Sequence, residues 1–255
     1  MEKDFYLQYA VVENKHWWFL GRRKIVEKVI QQLKLPVNAQ ILEAGCGTGG
    51  NLAMLSRYGN LSAMEIEEIA CQIANDRKIT TVKKGSLPDN IPFKGEYGLI
   101  VMLDVLEHID DDIAALEALY SLLKPGGYLL ITVPAFQFLW SRHDEINHHY
   151  RRYVKKTLQR VVIKAGYKLN YTRYFNFFLF PIVAIIRGFK KLLKIDDSNV
   201  NISGDLKIPA KPINKFLSYL FASERHLITW FNMPVGVSLL LLAHKPNQNS
   251  INELI

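Results

Sequence analysis

The sequence predicts an α/β fold built on a mostly parallel β-sheet. Short apolar strands alternate with helical patterns from residue 40 to residue 133, a rhythm typical of parallel sheets covered by helices. A glycine-rich stretch, ILEAGCGTGG at residues 41–50, follows the first of these strands. Residues 99–103 form an unbroken apolar run, which is expected of a strand buried on both faces.

The first half of the chain supplies five strands and the helices between them. Residues 22–33 space their aliphatic side chains as one face of a helix does, and Pro36 follows them. A second helix is expected after the glycines, at residues 51–58. Short apolar stretches predict the strands, at residues 40–44, 61–64, 80–83, 99–103 and 128–133.

The helix before the fifth strand is marked at both ends. Asp110, Asp111 and Asp112 predict its start. Acids at a helix N-terminus cap the helix and complement its dipole. Residues 124–127 (KPGG) end it and turn the chain. A helix is therefore expected at about residues 113–123.

The last third of the chain differs in order and in charge. Its patterns predict a helix at 154–165, a strand at 167–174, an apolar segment at 177–186, an amphipathic helix at 213–228 and a strand at 235–243. Residues 1–150 contain 15 Lys/Arg and 19 Asp/Glu, whereas residues 151–255 contain 17 and 5. This asymmetry indicates either an anionic partner, such as lipid head groups, a phosphorylated substrate or nucleic acid, or a basic face that aids solubility.

Two further features predict a cytoplasmic protein. Cys46 and Cys71 are the only cysteines, too few for a disulfide framework. The N-terminal residues MEKDFYLQYA include acids and lack the apolar core of a signal peptide.

The glycine loop fits two ligand patterns, because G-x-G-x-x-G and G-x-G-x-G both begin at Gly45. The first is the dinucleotide fingerprint, and the second is used for S-adenosylmethionine (SAM). Glu43 stands two residues before the loop, where a carboxylate repels a pyrophosphate but attracts the sulfonium and amino groups of SAM. Glu65, at the end of the second strand, can accept the ribose hydroxyls of either ligand. With no second mononucleotide-binding half in the chain, the residues favour SAM.

Five stretches carry a family resemblance: ILEAGCGTGG, Glu65, GSLPDNIPF (85–93), YGLIVMLDVLEHI (97–109) and LLKPGGYLLITVP (122–134). Together they resemble the class I SAM-dependent methyltransferases of the type 11/12 group, over about residues 38–135. The resemblance implies a Rossmann-like, seven-stranded, mostly parallel sheet with a reversed last strand pair. It also agrees with a helical N-terminal cap and a helical insertion between the last two strands.

The resemblance implies a cofactor site made of Trp18, Arg22, Glu43, Ala44, Gly45, Cys46, Gly47, Asn51, Glu65, Ile66, Ser86, Leu87, Leu103 and Asp104. Ser86 is a departure, since relatives often carry an aspartate that faces the adenine amino group. A hydroxyl accepts that hydrogen bond more weakly than a carboxylate does. Asp104 and Glu107 are expected to shape the methionine edge of the site and to cap the next helix, and His108 is expected to be structural.

Residues 13–23 (ENKHWWFLGRR) resemble the helical cap that covers the cofactor in relatives. Trp17, Trp18 and Phe19 suit that role, because aromatic rings exclude water and face a sulfonium with their π-electrons. The alternative is an aromatic anchor of the ordinary core.

The catalytic candidates lie in residues 135–153 (AFQFLWSRHDEINHHYRRY), after the fifth strand. Loops at the carboxyl ends of parallel strands face the ligand cleft, and an oxygen acceptor of high pKa benefits from a general base. His143 is the first candidate and His149 the second, with Asp144 orienting one of them.

Two alternatives apply to the same loop. Its histidines and Asp144 could hold a divalent ion, as in some quinone O-methyltransferases of this fold. The spacing of His143, Asp144, His148 and His149 matches no metal pattern, so we predict no metal. The loop could instead bind a substrate anion through Arg151 and Arg152.

The apolar segment FFLFPIVAII (177–186) is followed by the basic residues Arg187, Lys190, Lys191 and Lys194. It has half of the roughly 20 residues that a membrane span needs, and Pro181 interrupts it. Three interpretations remain: a lid over an apolar substrate pocket, a helix in a membrane interface with its basic residues on anionic head groups, or a buried core helix.

The leading hypothesis is a SAM-dependent methyltransferase that acts, at oxygen, on a small or lipid-associated molecule such as a quinone precursor, a glycan-lipid or a polyketide-like metabolite. We expect a cytoplasmic protein, with peripheral contact to the anionic inner membrane face as the second interpretation. One alternative is a non-catalytic accessory subunit of a membrane-associated biosynthetic complex. A nucleic-acid substrate is disfavoured, because LDVLEH (103–108) lacks the Asn/Asp-Pro-Pro-aromatic motif of DNA amino-methyltransferases.

The predicted domain organisation has four parts. These are a helical N-terminal cap at 1–36, a SAM-binding domain at 37–174 and 232–246, a hydrophobic and basic helical insertion at 175–231, and a tail at 247–255.

Overall fold

A computed structural model describes residues 3–193 and 207–247 of the chain. Seven strands form one sheet: β1 (Gln40–Ala44), β2 (Asn60–Glu65), β3 (Val82–Lys84), β4 (Tyr97–Leu103), β5 (Leu123–Pro134), β6 (Lys168–Phe175) and β7 (Ser238–His244). The strand order is β3-β2-β1-β4-β5-β7-β6. The first five strands pair in parallel, and β7 runs antiparallel to both β5 and β6. The predicted seven-stranded Rossmann-like sheet with a reversed last pair is confirmed.

The described residues also contain nine α-helices. They are α1 (Lys3–Val12), α2 (Trp17–Gln32), α3 (Leu52–Leu55), α4 (Glu68–Asp76), α5 (Asp112–Leu122), α6 (Arg142–Ile146), α7 (Lys155–Lys164), α8 (Phe180–Leu192) and α9 (Lys211–Ser223). The helices α1 and α2 precede the sheet, and α8 and α9 lie between β6 and β7, where the insertion was expected. Residues 194–206 of that insertion and residues 248–255 of the tail lie outside the described residues, and the four-part division stays a prediction.

Three helix boundaries differ from the predicted ones. Helix α2 begins at Trp17 instead of residue 22, because the His16 side chain caps it by accepting a hydrogen bond from the Trp18 amide. Helix α3 is a single turn, since the chain turns after Leu55 to enter β2. The amphipathic pattern of 213–228 continues beyond the end of α9 as a 3-10 turn over residues 224–226.

The start of β5 also differs from expectation. The strand begins at Leu123, which pairs with Tyr97, and residues 124–127 then bulge out before Tyr128 pairs with Leu99. Gly126 makes the bulge possible with a φ of +74°. The cap of α5 is Asp111, which accepts a hydrogen bond from the Ala114 amide at 3.0 Å, so the expectation that Asp104 and Glu107 cap this helix was wrong.

The core lies on both faces of the sheet, and all seven residues of β4 are buried. One apolar cluster lies beneath α5 and α7, a second includes α2 together with Phe175 and Phe221, and a third, smaller cluster lies around Leu52 and Cys71. Because β1, β2, β4, β5 and β6 all point the same way, their carboxyl ends meet at one edge. That edge is where ligands bind in open α/β sheets.

Three non-glycine residues at this edge adopt left-handed backbone angles. Asp104 directly follows β4 with a φ of +57°, and Asn176 directly follows β6 with a φ of +59°. Phe136, two residues after β5, has a φ of +59°. Such conformations are unfavourable for L-residues and concentrate at functional sites. Each one turns the chain sharply out of the sheet.

Candidate functional site

The glycine loop leaves β1 and folds back on β2. The amides of Gly45 and Cys46 both donate to the carbonyl oxygen of Met64, at 2.9 and 3.0 Å. Gly45 has a φ of +79°, and a Cβ there would lie 2.6 Å from the Val105 side chain. Around a Cβ placed on Gly47 there is no described atom within 4 Å. A ligand can therefore approach the backbone at Gly47, while Gly45 is needed for close packing.

Glu65 joins the glycine loop to the end of β2. Its carboxylate accepts hydrogen bonds from the amides of Gly47 at 2.8 Å and Ile66 at 2.9 Å. Burial raises the pKa of this carboxyl group. The Gly85 amide donates to the Glu65 carbonyl oxygen at 3.0 Å, which brings the following Ser86 close to Glu65. The predicted ribose and adenine residues are thus neighbours, although their roles stay predictions.

Glu43 is a fully buried acid behind the loop. Its Oε1 accepts a hydrogen bond from Asn51 at 2.9 Å, and its Oε2 has no partner in the described part of the chain. Burial raises its pKa to about 8. An unpaired acid in this position fits a cationic ligand and opposes a pyrophosphate. The donor set therefore fits SAM, whose sulfonium and amino groups are positive.

The N-terminal cap reaches the same edge through Arg22. The buried Arg22 guanidinium donates to the Asp104 carboxylate and lies over the Trp18 ring, 4.5 Å from its centroid. Asp104 also accepts a hydrogen bond from the Thr132 hydroxyl at 3.2 Å. The structure therefore brings Arg22, with Trp18 beside it, to Asp104 at the end of β4. Their role in cofactor binding stays a prediction.

Of the other predicted cofactor residues, Ala44 is fully buried under the loop and Cys46 and Leu103 are nearly so. Ile66 is 59% exposed beyond the end of β2, so its side chain is available to a ligand. Leu87 packs against the core cluster beneath α5.

Glu13 makes a second contact between the N-terminal cap and the site, and the sequence did not reveal it. Its buried carboxylate accepts a hydrogen bond from the Thr48 hydroxyl at 2.6 Å and pairs with Arg77. The Arg23 side chain donates to the Glu13 carbonyl oxygen at 2.7 Å. The cap is thereby attached to the back of the glycine loop. Because Thr48 is 35 residues away, no local pattern marks this contact.

The loop after β5 is organised around Asp144. This buried carboxylate accepts two hydrogen bonds from Arg152, at 2.7 and 2.9 Å, and contacts Nδ1 of His149 at 2.9 Å. Burial acts to raise the pKa of Asp144, but the hydrogen bonds from His149 and Arg152 outweigh it and hold that pKa well below its usual range. Asp144 thus orients His149, the second candidate. The ring of the first candidate, His143, lies 6.1 Å from that of His149 between centroids.

The two arginines of this loop already have anionic partners within the chain. Arg152 is buried against Asp144. Arg151 pairs with Asp112 at 3.1 Å and with Asp110 at 3.2 Å. Binding of a substrate anion would have to displace these carboxylates, so the geometry does not favour that interpretation.

Another acidic group of the site, Glu107, follows β4 in the 3-10 turn Leu106–His108. It is fully buried, and burial together with the charge of Asp104 raises its pKa well above the usual range. Burial and the neighbouring His149 lower the pKa of His108 to about 4. Within the described residues, Glu107, His108 and His149 form a group of metal-ligand side chains whose ligand atoms lie close together. It shares only His149 with the set considered from the sequence.

The exposed apolar surface of the insertion consists of large side chains that are each at least half exposed: Ile182, Ile185, Ile186, Phe189, Ile213, Phe216, Tyr219, Trp230 and Phe231. The interpretation of the apolar segment as a buried core helix was therefore wrong, because side chains of α8 face solvent. Helix α8 contacts the loop after β5, where Phe180 lies 5.8 Å from Phe136 between ring centroids. Over residues 3–193 and 207–247, no helix is long and apolar enough to cross a membrane.

Comparison with known proteins agrees with this geometry. Residues 17–172 match the family model described as a methyltransferase domain. The chain is 25% identical, over 179 residues, to the ubiquinone biosynthesis O-methyltransferase of Xanthomonas campestris pv. campestris (strain B100), covering 58% of this chain and 73% of that relative.

Two solved structures illustrate the shared fold. A TehB-like SAM-dependent methyltransferase from Corynebacterium glutamicum superposes with a TM-score of 0.51 at 18% identity, covering 87% of each chain. Phosphoethanolamine N-methyltransferase 2 of Haemonchus contortus, in complex with SAM, superposes with a TM-score of 0.56 at 16% identity, covering 87% of this chain and 52% of that one.

Proposed function

The chain belongs to the methyltransferase domain family, and we propose that it transfers the methyl group of SAM to an oxygen atom of a small apolar or lipid-associated molecule. Its family and fold make it a SAM-dependent methyltransferase. The acceptor class is our proposal: a quinone-like compound, a glycan-lipid or a polyketide-like metabolite. The observation that carries the oxygen acceptor is the pairing of His149 with the buried Asp144 at the carboxyl end of the sheet.

The chain's own residues would divide the work of cofactor binding. When bound, SAM supplies a methyl group on a positively charged sulfur, which is already a good leaving group. Glu65 would accept the ribose hydroxyls, and Glu43 and Asp104 would face the positive charges. Trp18 and Arg22 would exclude water above them. The support is the arrangement of buried acids around a loop that is open at Gly47.

His149 would promote loss of the proton from the acceptor hydroxyl. With Nδ1 held by Asp144, its Nε2 is the ring nitrogen that remains for a ligand. Asp144 is itself fixed by Arg152, so the imidazole has one preferred orientation. This contact with Asp144 is why we propose His149 in the role first predicted for His143.

The test uses SAM labelled in its methyl group and a panel of catechols and hydroxyquinones with short and long isoprenoid tails. We expect label in a methyl ether, and kcat at least about 100-fold lower for His149→Ala. The exposed His226, on the far 3-10 turn, provides the control variant His226→Ala. Loss of activity in His143→Ala with normal turnover by His149→Ala would restore the first candidate. SAM binding without transfer to any compound would favour the accessory-subunit alternative.

We also propose that the exposed apolar surface contacts an anionic membrane. Large exposed apolar patches mark interaction sites, and basic residues beside them favour anionic head groups. Residues 177–193 contain three basic residues and no acid. We expect the protein to float with anionic vesicles at low salt, and Ile185→Ser with Phe189→Ser to reduce that binding. A wild-type protein that stays in the aqueous fraction would contradict the membrane contact.

A further inference from the structure

A buried carboxyl group without a hydrogen-bond partner lies at the acceptor side of the site. Glu107 has no exposed surface, and both of its carboxylate oxygens lack a partner among the residues that the structure describes. Buried polar groups in native proteins are almost always paired, so an unpaired carboxylate calls for a missing proton or cation. The neighbours of Glu107 decide between the two.

Two imidazole rings lie close to this carboxyl group. Glu107, His108 and His149 each offer one ligand atom, and these atoms all lie within 4.8 Å of one another. The rings of His108 and His149 are nearly perpendicular, with centroids 4.5 Å apart. The Tyr150 amide donates to the Glu107 carbonyl oxygen at 2.8 Å, which fastens the loop carrying His149 to the turn that carries the other two side chains.

The surroundings of His149 resemble the outer shell of a metal site. Metal-bound histidines almost always donate their second ring nitrogen to a carboxylate or carbonyl group. Here Nδ1 of His149 contacts Asp144, which is held in turn by Arg152. Asp104, the remaining carboxylate nearby, is paired with Arg22 and is not needed as a ligand.

We propose that Glu107, His108 and His149 bind a divalent transition-metal ion. Two imidazoles and one carboxylate suit Zn²⁺, Co²⁺, Fe²⁺ or Mn²⁺, whereas Mg²⁺ and Ca²⁺ prefer sites made of oxygen ligands. Three protein ligands leave at least one position open, as catalytic metal sites require. An ion there would pair the carboxylate that is otherwise buried alone.

The role of the ion rests on the proposed function, although its binding does not. A bound divalent ion lowers the pKa of a hydroxyl group nearby. The acceptor O–H bond then breaks and its proton leaves to solvent. The oxygen forms a bond to the methyl carbon while the carbon–sulfur bond breaks, and that electron pair stays on sulfur. His149 would thus promote deprotonation as a ligand of the ion.

The experiment is a titration of metal-free, full-length protein with Co²⁺ alone, followed by visible absorption and calorimetry. We expect one equivalent of Co²⁺ to bind with d–d absorption bands, Zn²⁺ to displace it, and Mg²⁺ to bind at least 100-fold more weakly. His149→Gln and Glu107→Gln should each weaken Co²⁺ binding at least 10-fold. Glu107→Gln keeps the shape of the side chain, and its melting temperature shows whether the variant folds.

Variants of two nearby histidines test whether the ion is bound by Glu107, His108 and His149. His143→Gln and His148→Gln change side chains of the same loop that lie outside this group, and Co²⁺ affinity should stay within about 2-fold of wild type. Absence of saturable Co²⁺ binding would overturn the proposal, and so would losses in these two variants equal to those in His149→Gln. If Co²⁺ does not bind but the methyl ether still forms, only the metal proposal is overturned and the proposed function stands. If Co²⁺ binds tightly but the labelled methyl group is found on nitrogen, only the proposal of an oxygen acceptor is overturned.

Discussion

The ligand edge of the sheet and the exposed apolar surface place side chains in opposite surroundings. At the edge, Glu43 and Glu107 are acids with no exposed surface. On the apolar surface, Trp230 is 78% exposed and Phe216 is 64% exposed. A buried carboxyl group costs free energy to ionise unless a cation complements it, and large exposed apolar patches mark interaction sites. These surroundings are why we propose a cation as the partner of the edge and a membrane as the partner of the surface.

The largest expected effect tests whether the end of α9 that carries Phe221 belongs to the core or to the exposed apolar surface. Phe221 belongs to α9 by sequence, yet it is fully buried and stacks on Phe175 with a centroid distance of 6.0 Å. We expect Phe221→Ala to lower the free energy of unfolding by about 3–5 kcal/mol, as core phenylalanines do. Urea denaturation measures this. A loss below about 1 kcal/mol would mean that α9 belongs with the exposed surface throughout its length.

The next effect concerns the edge itself. Glu65→Ala should weaken SAM binding by about 1–3 kcal/mol, because hydrogen bonds to the ribose are lost. Calorimetry measures the change, with Glu68→Ala as a matched control, since that side chain is 57% exposed. Equal SAM affinity in wild type and Glu65→Ala would place the ribose elsewhere.

A smaller effect follows from the unusual pKa of Glu43. Its pKa in the folded protein is about 8, so the group is mostly protonated at pH 7. A cationic ligand lowers that pKa, and SAM binding at pH 7 should release up to about one proton, with affinity rising as the pH rises towards 8. Calorimetry in buffers of different ionisation enthalpy detects the proton. Glu43→Gln should lose the buffer dependence, and a dependence unchanged by that substitution would assign the proton to another group.

Glu43 also makes stability depend on pH. Because folding raises its pKa above the ordinary value of 4.5, ligand-free stability is greatest below about pH 4.5 as far as this group is concerned and declines as the pH rises to 8. Thermal melts of Glu43→Gln should show a flatter decline over that range. Parallel curves for the variant and wild type would contradict the raised pKa.

The smallest effect is expected on the apolar surface. Phe216→Ser should change the free energy of unfolding by no more than about 0.5 kcal/mol and leave SAM affinity unchanged, because its ring already faces solvent. Its vesicle binding should fall. The comparison with Phe221→Ala, five residues along the same helix, is direct. A large loss of stability would show that Phe216 is covered in the folded protein.

Much of the edge could be predicted from the sequence because its pieces are local. The glycine loop, Glu65 and the apolar strand before Asp104 are each short segments whose position follows from strand order. The parallel sheet then brings their ends together without further information. The fold and the proximity of the predicted cofactor residues follow from such segments.

The remaining contacts depend on residues far apart in the chain or on burial. His143 and His149 both lie near Asp144 in sequence, and only the folded structure shows the contact between that carboxylate and His149. Glu107 meets His149 across 42 residues. The apolar period of α8 is the same for a buried helix and an exposed one, so the sequence could not choose between core and surface.

The left-handed backbone conformation at Phe136 and the packing of its ring have opposite effects on stability. A glycine would adopt its φ of +59° more easily, and we would expect such a change to favour the folded backbone. It would also remove the ring that stacks on Tyr174, with centroids 4.9 Å apart. The relaxed backbone and the lost ring contact would therefore change stability in opposite directions at this one position.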